Sequence, residues 1–162
     1  MASDPPADLP LTPLGGAPHT VAEWLTTFHL LVVVLDPFTN ESSWLLETAG
    51  RLLLTYAPAD VRTAFLVTAT EDEARQFLGP WTEQLLVFTD PDRDAVAALG
   101  LEQLPALVHL NLSGAVEDSA EGWDPDGWRR VAENLSRIMY WTRPTIPSPE
   151  DPVPFAGTPA LG

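Results

Sequence analysis

Three short runs with apolar centres, separated by segments with helical spacing, constrain the fold of this chain more than any other feature. Residues 29–35 read HLLVVVL, residues 61–68 read VRTAFLVT and residues 85–88 read LLVF. A strand with one wet face alternates apolar and polar residues. A continuous β-branched run instead marks a strand covered on both faces, as in a parallel sheet between two layers of helices. The intervening residues supply the helices. Thr20–Glu23 (TVAE) and Thr70–Glu73 (TEDE) are capping-box patterns, in which a hydroxyl and a carboxylate three residues apart satisfy each other's backbone N–H groups. The first predicts a short helix containing Trp24, Leu25 and Phe28, the second a helix that runs to Gly79. Asp36-Pro-Phe-Thr-Asn40 reads as a turn, with Asn40 as N-cap of a helix from about Glu41 to Tyr56. Trp44, Leu45, Ala49, Leu52 and Leu53 recur there at helical spacing, and Ala57-Pro58 ends it.

After the third run, Asp90-Pro91 predicts a short helix with Asp90 as N-cap and Pro91 in its first position, closed by Gly100. Ala106–Leu112 and Ala115–Glu117 predict a hairpin around Asn111-Leu-Ser-Gly114. Asp124-Pro125 opens a last helix with Trp128, Val131, Leu135, Ile138 and Met139 on one face. Strands alternating with helices predict the α/β class, and the closing hairpin makes the sheet mixed. Three regions are expected: a Pro-rich N-terminal arm (1–19), one domain (20–141) and a Pro-rich C-terminal tail (142–162). If the tail docks, on its own domain or on another chain, Phe155 and Leu161 are its expected anchors; disorder is the alternative.

This order of elements, together with the stretch FTDPDRDAVAALGLEQLPALVHLNLSGAV at residues 88–116, resembles the thioredoxin-like redoxin superfamily in its peroxiredoxin-related branch. The matching parts are Val61–Thr68, Glu71–Leu78, Leu85–Asp90, Pro91–Leu99, Gly100, Pro105 and the hairpin Gly114, within residues 20–140. The motifs are short; their order and spacing carry the likeness. The resemblance implies a thioredoxin-like fold: a central mixed β-sheet flanked by α-helices, with an extra strand–helix insertion before the closing β-hairpin. It also implies that Leu104-Pro105 is the cis-proline loop, which in thioredoxins lies beside the active-site helix and pairs with the backbone of bound peptide. The alternative is an ordinary trans proline opening a strand.

The family's redox motif sits at the turn after the first buried strand, here Asp36–Trp44 (DPFTNESSW). One register puts Glu41 and Trp44 at the two cysteine positions; a shifted register puts Thr39 and Ser42 there. Neither supplies a thiol, and the chain contains no cysteine. Disulfide exchange and thiol-peroxidase chemistry need a thiolate nucleophile. A serine or threonine in its place needs an activating base, and no histidine is near in sequence.

Composition narrows the remaining choices. The formal charge of −15 repels phosphate backbones and anionic lipid headgroups, so neither nucleic acid nor a membrane surface is an expected partner. A basic protein surface is attracted, and solubility alone is the plainer reading. Every basic residue is arginine, which removes lysine Schiff bases and a P-loop lysine. The opening MASDPPADLP lacks a basic, then apolar, leader, and the longest aliphatic run is Leu30–Leu35, so a cytoplasmic location is expected. Asp90 and Asp92 imitate the DxD of haloacid-dehalogenase-type phosphatases without a lysine to hold phosphate. They imitate an EF-hand without its glycine and final glutamate. They read as caps. Glu117, Asp118, Glu121, Asp124 and Asp126 around Trp123 read as a solvated loop rather than a cation site. His19, His29 and His109 are scattered, so no metal and no cofactor is expected.

The functional expectation is a non-catalytic protein-binding or chaperone-type module, for which cysteine-free thioredoxin-fold maturation chaperones are a precedent. Its groove would lie between Thr39, Asn40, Glu41, Ser42 and Trp44 at the helix start and Leu104-Pro105 opposite, and would take a protein or peptide. One alternative is a small-ligand binder or non-thiol enzyme in the same cleft, with Glu41 as acid or base and Thr39 and Ser42 as hydrogen-bond donors. Another is a structural subunit whose Pro-rich tails wrap a neighbour.

Overall fold

The computed structural model describes residues 1–162. In chain order the elements are β1 (Pro10–Pro13), β2 (His19–Thr20), α1 (Val21–Trp24), β3 (His29–Leu35), α2 (Asn40–Tyr56), β4 (Val61–Val67), α3 (Glu71–Leu78), α4 (Trp81–Gln84), β5 (Leu86–Thr89), α5 (Asp94–Ala98), β6 (Gln103–Leu104), β7 (Ala106–Leu110), β8 (Val116–Glu121), α6 (Pro125–Met139) and β9 (Thr158–Pro159). A seven-stranded sheet has the order β2-β1-β5-β4-β3-β7-β8, and β6 pairs separately with β9. The three apolar runs are the parallel centre, β5, β4 and β3. The hairpin β7–β8 adds antiparallel beside β3, so the sheet is mixed and the fold thioredoxin-like.

The two-residue side-chain period of a strand divides these runs between two cores. Leu31, Val33, Leu35, Phe65, Val67 and Leu107 pack on one face under α2 and α6, with Leu45, Leu53, Tyr56, Trp128 and Leu135. Leu30, Val32, Val34, Leu66, Phe88 and Val108 pack on the other face with Val21, Leu25, Val96 and Leu99. Each fully buried aliphatic or aromatic side chain contributes about 1.5–3 kcal/mol, so covering both faces is what holds the parallel strands. Both capping boxes form: Thr20 with Glu23 and Thr70 with Glu73 bond in both directions.

Several expected boundaries move. The N-cap of α2 is Thr39, not Asn40, which is already helical. Asp36 is the reason: its carbonyl accepts from the Thr39 N–H at 3.1 Å and from the Thr39 hydroxyl at 2.9 Å. Its N–H donates to Ser42 Oγ at 2.9 Å. That ring of bonds starts the helix one residue early. The helix after Asp90 begins at Asp94, behind a turn in which Arg93 is left-handed (φ 61°, ψ 24°). The Asp90 carboxylate still caps it, accepting from the Ala95 and Val96 N–H groups at 3.1 and 3.0 Å. A bulge at His109/Leu110 ends β7 early, and β8 runs on to Glu121. Glu117, Asp118 and Glu121 therefore lie on a strand, not in a loop.

The 1–19 arm and the 142–162 tail are built into the domain. β1 pairs antiparallel with β5 and with β2, and Leu11 is buried in the second core. Proline cannot donate to a ladder but is tolerated where pairing is short and near an edge; β1 makes only two residue pairs on each side. The C-terminal segment crosses α2 and returns to the loop before β7. Phe155 and Ala160 seat it; Leu161, the other expected anchor, is 61% exposed.

Candidate functional site

The start of α2 and the Leu104–Pro105 loop face the same end of the sheet. The Leu104–Pro105 peptide bond is cis, and both residues are buried. Of the residues assigned to the groove, Trp44 is 57% exposed, Asn40 is exposed, and Thr39 and Glu41 are half-buried. Ser42 does not line the groove: it is fully buried, with its hydroxyl against the Asp36 N–H. The Thr39 hydroxyl is likewise committed to the Asp36 carbonyl. Thr39 and Ser42, the cysteine positions of the shifted register, therefore fix the turn: the Thr39 O–H donates to Asp36, and the Ser42 hydroxyl is buried away from any ligand.

The place expected for the groove is taken by the chain's own C-terminal segment. Gln103 pairs with Pro159 and Leu104 with Thr158 as antiparallel strands. The Ala160 N–H donates to the Glu102 carbonyl at 2.9 Å. Trp123 and Phe155 exchange backbone bonds at 2.8 and 3.1 Å. The Phe155 ring meets the Trp44 ring edge-on, with centroids 5.7 Å apart. Trp123 is buried and its indole N–H donates to the Pro152 carbonyl at 2.7 Å.

Two further groups, invisible to sequence reasoning, hold this seat. Arg93 reaches from its left-handed turn to the Asp36 carboxylate at 2.8 Å and to the Ala160 carbonyl at 2.6 Å. It thereby ties the end of β3 to the tail. Asp151 sits against α2, accepting from the Thr48 hydroxyl at 2.8 Å and Arg51 at 2.6 Å, and from the Ser148 N–H at 2.7 Å. Burial alone would push its carboxyl up. The bonds from Ser148, Thr48 and Arg51 outweigh burial and hold it below the usual range. No spacing rule links Arg93 or Asp151 to partners 67 and 100 residues away.

Elsewhere, a cavity of about 510 Å³ lies between α2 and the C-terminal segment, lined by Thr48, Arg51, Trp123, Trp128, Ile146 and Asp151 among others. His29 and His109 sit across β3 and β7 with Nδ1 and Nε2 2.8 Å apart. Burial first, then the neighbouring His29, pushes His109 down to about 4. Asp90 is pushed up by burial. No three His, Asp or Glu side chains converge to hold a metal ion. The acidic residues expected as a solvated cluster go separate ways: Asp118 pairs with Arg130, Asp126 with Arg129, and Glu121 accepts from the Glu102 and Gln103 N–H groups. No helix is long and apolar enough to cross a membrane.

No protein-family model matches the chain, and no curated protein matches it. Solved structures do. Mycobacterium tuberculosis DsbF, a structure described in mixed oxidised and reduced forms, is 16% identical with a TM-score of 0.63, covering 83% of this chain and 94% of that one. Xanthomonas campestris peroxiredoxin Q is 14% identical with a TM-score of 0.65, covering 82% and 91%. A hypothetical protein from Sinorhizobium meliloti 1021 is 15% identical with a TM-score of 0.70, covering 99% of this chain and 94% of that one. At these identities the likeness is one of fold. The chain is a cysteine-free protein with the thioredoxin-like fold of the DsbF and peroxiredoxin Q structures.

Proposed function

We propose that this protein is a non-catalytic protein-binding module that takes an extended polypeptide segment between the start of α2 and the Leu104–Pro105 loop. One observation carries the reading: an extended segment is seated there, paired by its backbone to Gln103 and Leu104, where thioredoxins pair with peptide. A groove that binds main chain in this way needs no thiol. The small-ligand reading loses support because the Thr39 O–H already donates to the Asp36 carbonyl and Ser42 is buried away from the cleft. The strong negative charge favours a partner with a basic surface around the bound segment.

The test is a photo-cross-linking amino acid introduced at position 44 of the full chain and activated in the source cell. The expected product is a covalent adduct between this groove and a different polypeptide. Adducts confined to residues 153–157 of the same chain, in every growth condition tried, would leave only a structural role for the groove.

A further inference from the structure

We infer that the groove selects an extended segment with the pattern aromatic, small, glycine, then a second small residue three positions later, and that residues 152–160 of this chain compete with that partner. The inference rests on the groove reading above and names the partner's chemistry.

The seat itself defines the pattern. The aromatic position is set by Trp44, which offers its ring to Phe155 yet remains more than half exposed. The glycine position is set by Leu104. Gly157 has φ +90°, and a Cβ there would lie 2.6 Å from the Leu104 carbonyl oxygen. The receiving wall is shaped to match: Gly122, at φ +68°, leaves no room for a Cβ against the Ala156 carbonyl. The second small residue is set by a closed site. Ala160 is 1% exposed, with its N–H on Glu102 and its carbonyl on Arg93. Arg93 is itself held by the buried Asp36 carboxylate.

The same contacts explain why the occupant is exchangeable. From Pro152 to Gly162 only Ala160 is buried; Val153, Pro154, Ala156, Pro159 and Leu161 are exposed. Most of the hold is backbone hydrogen bonding, which any chain in the same extended conformation reproduces. The Asp151 contacts with Thr48 and Arg51 lie outside the groove, so residues beyond 151 can leave while that anchor stays closed. A partner's apparent affinity is then reduced by the fraction of molecules whose groove is open.

The experiment uses the full chain and a fluorescein-labelled peptide with the sequence of residues 152–162, read by anisotropy. Gly157→Val unseats the internal segment and is expected to bind the peptide at least ~10-fold more tightly than wild type. Adding Trp44→Ala is expected to reverse the gain, and a peptide with valine at the glycine position is expected not to bind. Equal binding by wild type and Gly157→Val would overturn the competition and leave the groove reading standing. Equal binding of glycine and valine peptides would overturn the selectivity. No binding by a Gly157→Val protein whose Ala160 amide has lost exchange protection would overturn the groove reading too. Should Gly157→Val not fold, hydrogen exchange on wild type decides. Phe155 and Ala160 amides opening well before those of β3 and β4 support competition; amides that exchange only with global unfolding refute it.

Discussion

His109 is fully buried on β7, and only one of its two ring nitrogens has a partner: Nε2 meets His29, while Nδ1 has none. A charged imidazole there would lose its hydration and face a second imidazole, against the weaker opposing pull of Glu117 and Asp118. The folded protein keeps His109 neutral down to about pH 4, whereas the unfolded chain takes up that proton near pH 6.5. Between those values the unfolded state binds more protons, so stability falls as pH falls through the window. The full shift corresponds to a loss on the order of 3 kcal/mol. Urea titrations at pH 7 and pH 4.5 should show most of this loss in wild type and much less in His109→Leu; the same loss in both would place the acid sensitivity elsewhere. Ser42 gives a second prediction at this scale. Ser42→Ala leaves the buried Asp36 N–H without its 2.9 Å acceptor and is expected to cost about 1–3 kcal/mol by denaturant titration. No loss would show that Asp36 finds another acceptor.

Among the elements, α2 and α6 cover one face of the sheet and are joined by a single polar group. The Tyr56 hydroxyl donates to the Ala132 carbonyl at 2.8 Å and shares a 2.6 Å bond with Ser136. Tyr56→Phe keeps the packing and leaves Ser136 one partner fewer, so a loss of about 1–2 kcal/mol is expected; an unchanged denaturation midpoint would show that the joint is carried by apolar contact alone. The sequence was legible wherever burial imposed a period. β3, β4 and β5 have apolar centres without polar alternation because both their faces are covered, and α6 shows one apolar face because the other is wet. β1, β6 and β9 were not legible. Each is two to four residues long, β1 and β9 contain proline, and their pairing comes from distant backbone rather than local preference. The same limit hid the occupied groove. Turn and resemblance pointed to Thr39, Trp44 and Pro105, and of these Trp44 meets the seated segment, through Phe155. Its occupant depends on Gly157 meeting Leu104 more than fifty residues away, which no local pattern encodes.

The whole molecule is one seven-stranded sheet covered by helices on both faces, with both Pro-rich segments packed onto it. Near the start, the Ser3 N–H reaches the Leu99 carbonyl and Asp4 accepts from the Val116 N–H; near the end, residues 151–160 bind α2 and the groove. Around this frame lie 23 acidic and 8 basic residues. Six of the arginines are paired with Asp or Glu side chains. The remaining carboxylates repel one another over distances longer than any single contact. Two effects of salt therefore oppose. Exposed pairs such as Arg75–Glu71 and Arg143–Glu133 weaken, but each is worth only about 0.2–1 kcal/mol at most. The net repulsion is summed over the surface and destabilises the compact state. Raising sodium chloride from about 0.01 M to about 1 M shortens the screening length from ~30 Å to ~3 Å, which removes repulsion across the molecule while leaving the buried Asp36–Arg93 pair nearly untouched. The repulsive sum is the larger, so Tm at pH 7 should rise with sodium chloride by several degrees, on the order of 1 kcal/mol. A Tm that falls over the same range would mean that the surface ion pairs, not the excess charge, govern the electrostatics of this protein.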